Sequence, residues 1–175
     1  MPSGKTHDRV TILLALPTLV VGWLATGSLW MACLVVSAML FGGLMFGPDL
    51  DTDSVQYKRW GVFRFLWYPY RVFFKHRSRW SHGLLFGTLI RILYFAFVIA
   101  SLVALGVYLR ATLIAKTPFD FNEIARAWEM TKAAFTHYDG KKIALALFVG
   151  VWWGAAMHTI ADVAWSMLRK STDIF

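Results

Sequence analysis

The polar and apolar positions of this chain are not mixed at short range but sorted into long blocks. Val10 to Pro48 is 39 residues without one Asp, Glu, Lys or Arg. That is about twice the roughly 20 apolar residues one helix needs to cross a hydrocarbon core of about 30 Å. Thr26-Gly27-Ser28 near its middle supplies a turn, so the pattern predicts a helical hairpin, with helices over about 10–25 and 29–46. Pro17 is placed to kink the first of them, which membrane helices tolerate. A third apolar block, over about 83–109, holds Arg91 as its only charge, and a fourth covers about 143–162. The expected fold class is all-α: a single polytopic membrane domain with four transmembrane helices. Lys5 and Arg9 before an apolar stretch also suit a signal peptide, but the uncharged run continues far beyond a signal-peptide core.

Composition supports the embedded reading. Hydrophobic residues make up 58% of the 175 and charged ones 16%, and mean hydropathy is +0.53. Eighteen Lys and Arg against ten Asp and Glu leave a net charge of +8, so a basic remainder must face something polar and anionic. The single Cys33 excludes a disulfide framework and a thiolate metal site.

Charge also predicts orientation. With four spans, the amino terminus, the 49–82 loop and the carboxyl tail share a side. That side holds eleven of the eighteen cations, against six in the connection from Arg110 to Lys142. By the positive-inside rule both termini are cytoplasmic. The expected location is a multi-pass protein of a bacterial inner or thylakoid membrane. Within the loop at 56–80, aromatics interleave with Arg64, Arg71 and Lys75, spaced as one helical face. This reads as an amphipathic interfacial segment whose cations meet anionic lipid headgroups. No nucleic-acid motif accompanies it, and nucleic acid is not an expected partner.

The histidines and acids converge on the same layer. His7 and Asp8 precede the first helix; Asp49, Asp51 and Asp53 follow the second; His76 and His82 precede the third. In the fourth, His158 stands roughly 22 Å along from Ile143 at about 1.5 Å per residue, with Asp162 one turn beyond on the same face. Only His137 falls on the far side. Imidazole and carboxylate without thiolate suit zinc first, then manganese or iron, as one or two ions. The metal candidates are His7, Asp49, Asp51, His82, His158 and Asp162. Alternatives stand beside this: the three aspartates as a solvated turn, His158 with Asp162 as a polar clamp between helices, His76 as part of the basic loop. Asp53 or Asp8 could take a proton from metal-bound water, and Arg77 with Arg79 could hold a phosphate or carboxylate oxygen.

The segments Met1 to His7, Gly47-Pro48-Asp49-Leu50-Asp51 and His76 to Gly83 resemble a family of small membrane proteins, common in cyanobacteria, described as metal-binding. More distantly the chain resembles a LexA-regulated inner-membrane family classed as metal-dependent hydrolases. That family has Thr-His near the start, Pro-Asp-x-Asp after the first helices, and a His-Arg-Gly-x-Thr-His-Ser segment. Thr6-His7, Pro48-Asp49-Leu50-Asp51 and the His76 to His82 stretch occupy those places, with Ser81 in place of Thr and the two histidines one residue further apart. The resemblance implies metal binding. The expected function is a metal-dependent hydrolase acting on a phospholipid or other amphiphilic phosphoester at the cytoplasmic face. The competing class is a non-catalytic metal-binding assembly or structural factor. Transport is disfavoured, because the polar residues gather at one face and leave no track across.

Overall fold

The computed structural model describes residues 4–74, 78, 80, 83–115 and 120–172. Among them every element is helical, with no strands. Four stretches are long and apolar enough to cross a membrane: Gly4–Thr26, Leu29–Asp51, Phe86–Ile114 and Gly140–Arg169. The chain divides into two compact units, Met1–Arg91 with Leu145–Phe175, and Ile92–Ala144.

In the first unit, α1 (Gly4–Leu13) and α2 (Ala15–Thr26) form the first arm of the hairpin. The break at Leu14 has its cause at Pro17, which lacks an N–H to give Leu13 and crowds that carbonyl. Helix α1 starts at Gly4, not at about Val10 as the apolar run suggests, so His7 and Asp8 lie inside the helix instead of preceding it. Apolar content marks where a span can be buried, whereas a helix continues through Lys5 to Arg9 because those residues are adequate helix formers. The expected turn is formed. Gly27 takes the left-handed conformation, φ 64°, and donates to the Trp23 carbonyl. The Ser28 hydroxyl then caps α3 (Leu29–Leu44) by accepting from the Met31 N–H.

The end of α3 sets the path of the next segment. A helix leaves its last carbonyls without intrahelical donors, and here three consecutive ones are served by side chains from beyond the helix. Gln56 Nε2 donates to the Gly43 carbonyl at 2.7 Å, Arg59 Nη1 to Leu44 at 2.8 Å, and Trp60 Nε1 to Met45 at 2.9 Å. Gln56, Arg59 and Trp60 share one face by their i, i+3, i+4 spacing on and just after α4 (Val55–Arg59). Between the two helices, Pro48–Asp51 winds into a 3₁₀ turn. Ser54 ties turn to helix, donating to the Asp49 carbonyl at 2.8 Å while accepting from the Tyr57 N–H.

The basic aromatic segment is not one amphipathic helix. After Gly61, at φ 54°, residues Gly61–Trp67 form a 3₁₀ stretch, and α5 (Tyr68–Phe73) starts afresh with Pro69 in its first turn. Trp67 and Tyr70 are fully buried, and Trp67 packs edge-on against Phe46, Trp60 and Tyr70. Part of this segment is therefore interior.

Helix α6 (Phe86–Leu109) opens in the first unit, where Thr88 and Arg91 are buried. The last long helix, α8 (Gly140–Thr172), begins before the expected Ile143 and runs past Asp162. It meets α3 through a seam of small residues. A Cβ added to Gly150 would stand 2.4 Å from the Val35 carbonyl oxygen, one on Gly154 2.0 Å from that of Met39, and one on Gly42 2.3 Å from that of Val151. Backbone approaches of this kind, at small residues four apart, are how membrane helices pack without a hydrophobic drive between them.

The second unit contains the rest of α6, a π-wound segment Arg110–Ala115, and a helix that the apolar blocks do not predict, α7 (Phe121–His137). Asp120 caps it, accepting from the Asn122 N–H at 2.8 Å. Phe121, Ile124, Trp128 and Phe135 make an exposed stripe along it.

Candidate metal centre

The two histidines that meet here come from opposite ends of the chain. Helix α1 presents His7 and α8 presents His158, which are 6% and 4% exposed. Their imidazoles stack with centroids 3.7 Å apart and planes within 11°. Asp162, one turn beyond His158, places Oδ1 3.3 Å from His7 Nε2 and Oδ2 3.9 Å from His158 Nε2. Asp49, from the 3₁₀ turn, brings Oδ2 to 3.2 Å from His158 Nε2. The close seam between α3 and α8 is what allows this, since Gly154 lies one turn before His158.

The donor set suits a divalent transition metal. One ligand atom from each of His7, His158 and Asp162 lies within 4.8 Å of the others. Around a tetrahedral ion with bonds near 2.0–2.1 Å, ligand atoms stand about 3.4 Å apart, close to the 3.3 Å between His7 and Asp162. His158 Nε2 and Asp162 Oδ1, both on the side where the cluster meets, are buried without a hydrogen-bond partner among the described residues. Leaving such atoms unsatisfied costs about 1–3 kcal/mol each, which an ion at their focus would offset.

The other described candidates have partners of their own. Asp51 is buried, but its charge acts on Tyr70 and Arg91. Two residues apart on a turn of three per revolution, Asp49 and Asp51 diverge. Asp8 turns to Arg59, which holds its carboxylate with both guanidinium nitrogens, Nη1 to Oδ1 at 2.9 Å and Nη2 to Oδ2. That bond raises the Arg59 guanidinium above its ordinary value. Asp53 is exposed and pairs with Lys58 at 3.0 Å, whose hydrogen bond holds the carboxyl below its ordinary range. Of the basic loop, Arg64 is exposed and the Arg71 guanidinium sits 4.3 Å over the Tyr57 ring. Lys75, His76, Arg77, Arg79 and His82 lie outside the described residues.

Two other buried residues have no role that the sequence pattern assigns. Gln56, 5% exposed, sets its Nε2 3.4 Å from His158 Nδ1; nothing distinguishes a lone glutamine in a polar connection beforehand. Arg91 is 1% exposed, with Nη2 donating to Thr88 Oγ1 at 3.1 Å and Tyr70 alongside. A single arginine within an apolar span is a signal that could have marked it. Burial pushes the Tyr70 hydroxyl upward, with the Arg91 charge opposing.

Comparison with known proteins places these features in a family. An uncharacterized protein of Aquifex aeolicus (strain VF5) is 39% identical over 56 residues, which is 31% of this chain and 39% of that relative's length. No solved structure matches the chain. The model of the family described as "Uncharacterized metal-binding protein (DUF2227)" matches residues 2–172, so the chain belongs to that family of metal-binding proteins of unknown function.

Proposed function

We propose that the chain is a multi-pass integral membrane protein that holds a divalent transition metal, zinc foremost, between its first and last spans. It uses that metal to hydrolyse a phospholipid or another amphiphilic phosphoester at the cytoplasmic face. The observation that carries the metal reading is the buried convergence of His7, His158 and Asp162, with hydrogen-bonding capacity left unused. The spans are supported by the four long apolar stretches and by the large apolar side chains exposed along them, such as Leu13, Leu24 and Phe97. The orientation rests on the cation count.

Three protein ligands leave a tetrahedral ion one position, as in catalytic zinc sites. A metal there supplies Lewis acidity and lowers the pKa of bound water toward about 7. With Asp8 engaged by Arg59 and Asp53 by Lys58, the carboxylate best placed to accept a proton is Asp49, part-exposed beside His158. The hydrolytic step is further supported by the resemblance to the LexA-regulated hydrolases at Thr6-His7 and Pro48-Asp49-Leu50-Asp51. A second reading has its own observation. If Asp49 is a fourth ligand, the shell is closed and the site structural.

Elemental analysis of the detergent-purified chain tests the first part. Wild type should carry a stoichiometric transition metal, and His7→Ala and Asp162→Asn should lose it; equal trace metal in all three would sink the reading. Hydrolysis of phospholipids and phosphate esters, with and without chelator, then separates the two classes. Activity abolished by chelator supports catalysis, and its absence from metal-loaded protein supports the closed site.

A further inference from the structure

We propose that Gln56 is a positioning residue for the metal centre, holding the His158 imidazole through its Nδ1 so that Nε2 faces the carboxylates. The inference rests on the reading of His7, His158 and Asp162 as a metal site. Gln56 is itself fixed from three directions. Its Nε2 donates to the Gly43 carbonyl at 2.7 Å. Ser54 anchors the start of α4 to the Asp49 carbonyl, so the helix presenting Gln56 and the turn presenting Asp49 form one cradle. Gly47 leaves room for the amide, since a Cβ there would stand 2.3 Å from Gln56 Nε2.

The amide offers His158 both kinds of partner. In the geometry observed, Gln56 Nε2 faces Nδ1 at 3.4 Å. With Nδ1 accepting, the ring proton sits on Nε2, toward Asp49 and Asp162. A histidine that gives its Nε2 lone pair to a metal carries the proton on Nδ1 and then needs an acceptor there, as metal-bound histidines almost always have. Gln56 holds that acceptor in reserve: a half-turn of its amide would bring Oε1 to Nδ1–H in exchange for the bond to Gly43. Its Oε1 is buried and has no hydrogen-bond partner among the described residues.

The test is zinc affinity of the detergent-purified full chain, measured by competition with a chromogenic chelator, in wild type, Gln56→Leu, Gln56→Glu and His7→Ala. Loss of the second partner of a metal-bound histidine costs about 10- to 100-fold in affinity, so Gln56→Leu should fall by that factor. Gln56→Glu keeps an acceptor for Nδ1–H but cannot donate to Gly43, and should bind within about threefold of wild type or tighter. A role confined to capping α3 predicts the opposite ranking, with Glu no better than Leu. Gln56→Leu binding like wild type, or Gln56→Glu falling as far as Leu, overturns the proposal. If the Leu variant does not fold, Glu against wild type decides alone. Should His7→Ala also bind like wild type, the metal reading itself fails; if His7→Ala loses zinc while Gln56→Leu keeps it, only the role of Gln56 fails.

Discussion

One methyl group at Gly154 should undo the proposed metal centre without touching a ligand. In Gly154→Ala the new Cβ would lie 2.0 Å from the Met39 carbonyl oxygen and 2.6 Å from the Gly43 nitrogen, both backbone atoms that no rotamer change can move. Ordinary van der Waals contact begins at 3.4 Å, so α8 must withdraw from α3 by about 1.4 Å at this point. His158 comes one turn later, and sites of this kind tolerate about 0.5 Å of misplacement. Metal affinity should therefore fall at least about tenfold. For stability, overpacking costs about 1–3 kcal/mol, against roughly 0.8–1.0 kcal/mol gained in helix propensity by replacing glycine with alanine. The balance is a loss of up to about 2 kcal/mol, or up to ~8 °C in the melting temperature of a chain this size. Gly106→Ala is the matched control, because nothing lies within 4 Å of its added Cβ; it should melt no lower than wild type. Thermal melts and zinc titrations in one detergent compare the three proteins. A Gly154→Ala protein with wild-type melting and wild-type affinity would refute the claim that the α3–α8 seam positions His158.

Contacts away from the ligands give three further expected outcomes. Arg59→Met removes both the pair with Asp8 and the cap on Leu44. Because the pair is part-exposed, the loss should be about 1 kcal/mol, read as a small fall in thermal midpoint. The raised Tyr70 hydroxyl stabilises the fold fully below the ordinary tyrosine value of 10.0 and loses that contribution as pH rises through the higher folded value. Tyr70 should therefore be absent from the earliest phenolate absorbance in an alkaline titration of the folded protein, and its appearance there would contradict the burial. In a Cys33→Ser background, Val62→Cys and Asn122→Cys should label from opposite sides of sealed vesicles; labelling from one side removes the four-span topology.

The apolar blocks made four helices legible because burial of a span demands composition, which sequence displays directly. The i, i+4 pair of His158 and Asp162 was legible for a similar reason: one helix fixes their spacing. What could not be read was anything that depends on two segments meeting. Asp49 and Asp51 look equivalent in sequence, yet Asp49 reaches His158, while Asp51 is the more deeply buried of the two. Asp8 stands next to His7 and still faces Arg59, whose partner no local rule identifies. Gln56 has a place at His158 only because α3 ends where it does, leaving Gly43 in need of a donor. Helix α7 was within reach, since Asp120 before Phe121, Ile124, Trp128 and Phe135 is a cap leading into an apolar stripe.

The pairing of His7 with His158 and Asp162 also bears on how the molecule is made. A ribosome delivers residue 7 long before residue 158, and on the proposed membrane reading the hairpin of α1 to α3 would settle in the bilayer while the rest is still being synthesised. The metal cannot be gripped until α8 has docked along α3. Ion binding at the proposed site would thus close assembly, tying the earliest helix to the last, and the free energy of coordination would become free energy of folding. On the proposed reading, a chain stopped before α8 would insert and yet, lacking His158 and Asp162, hold no metal.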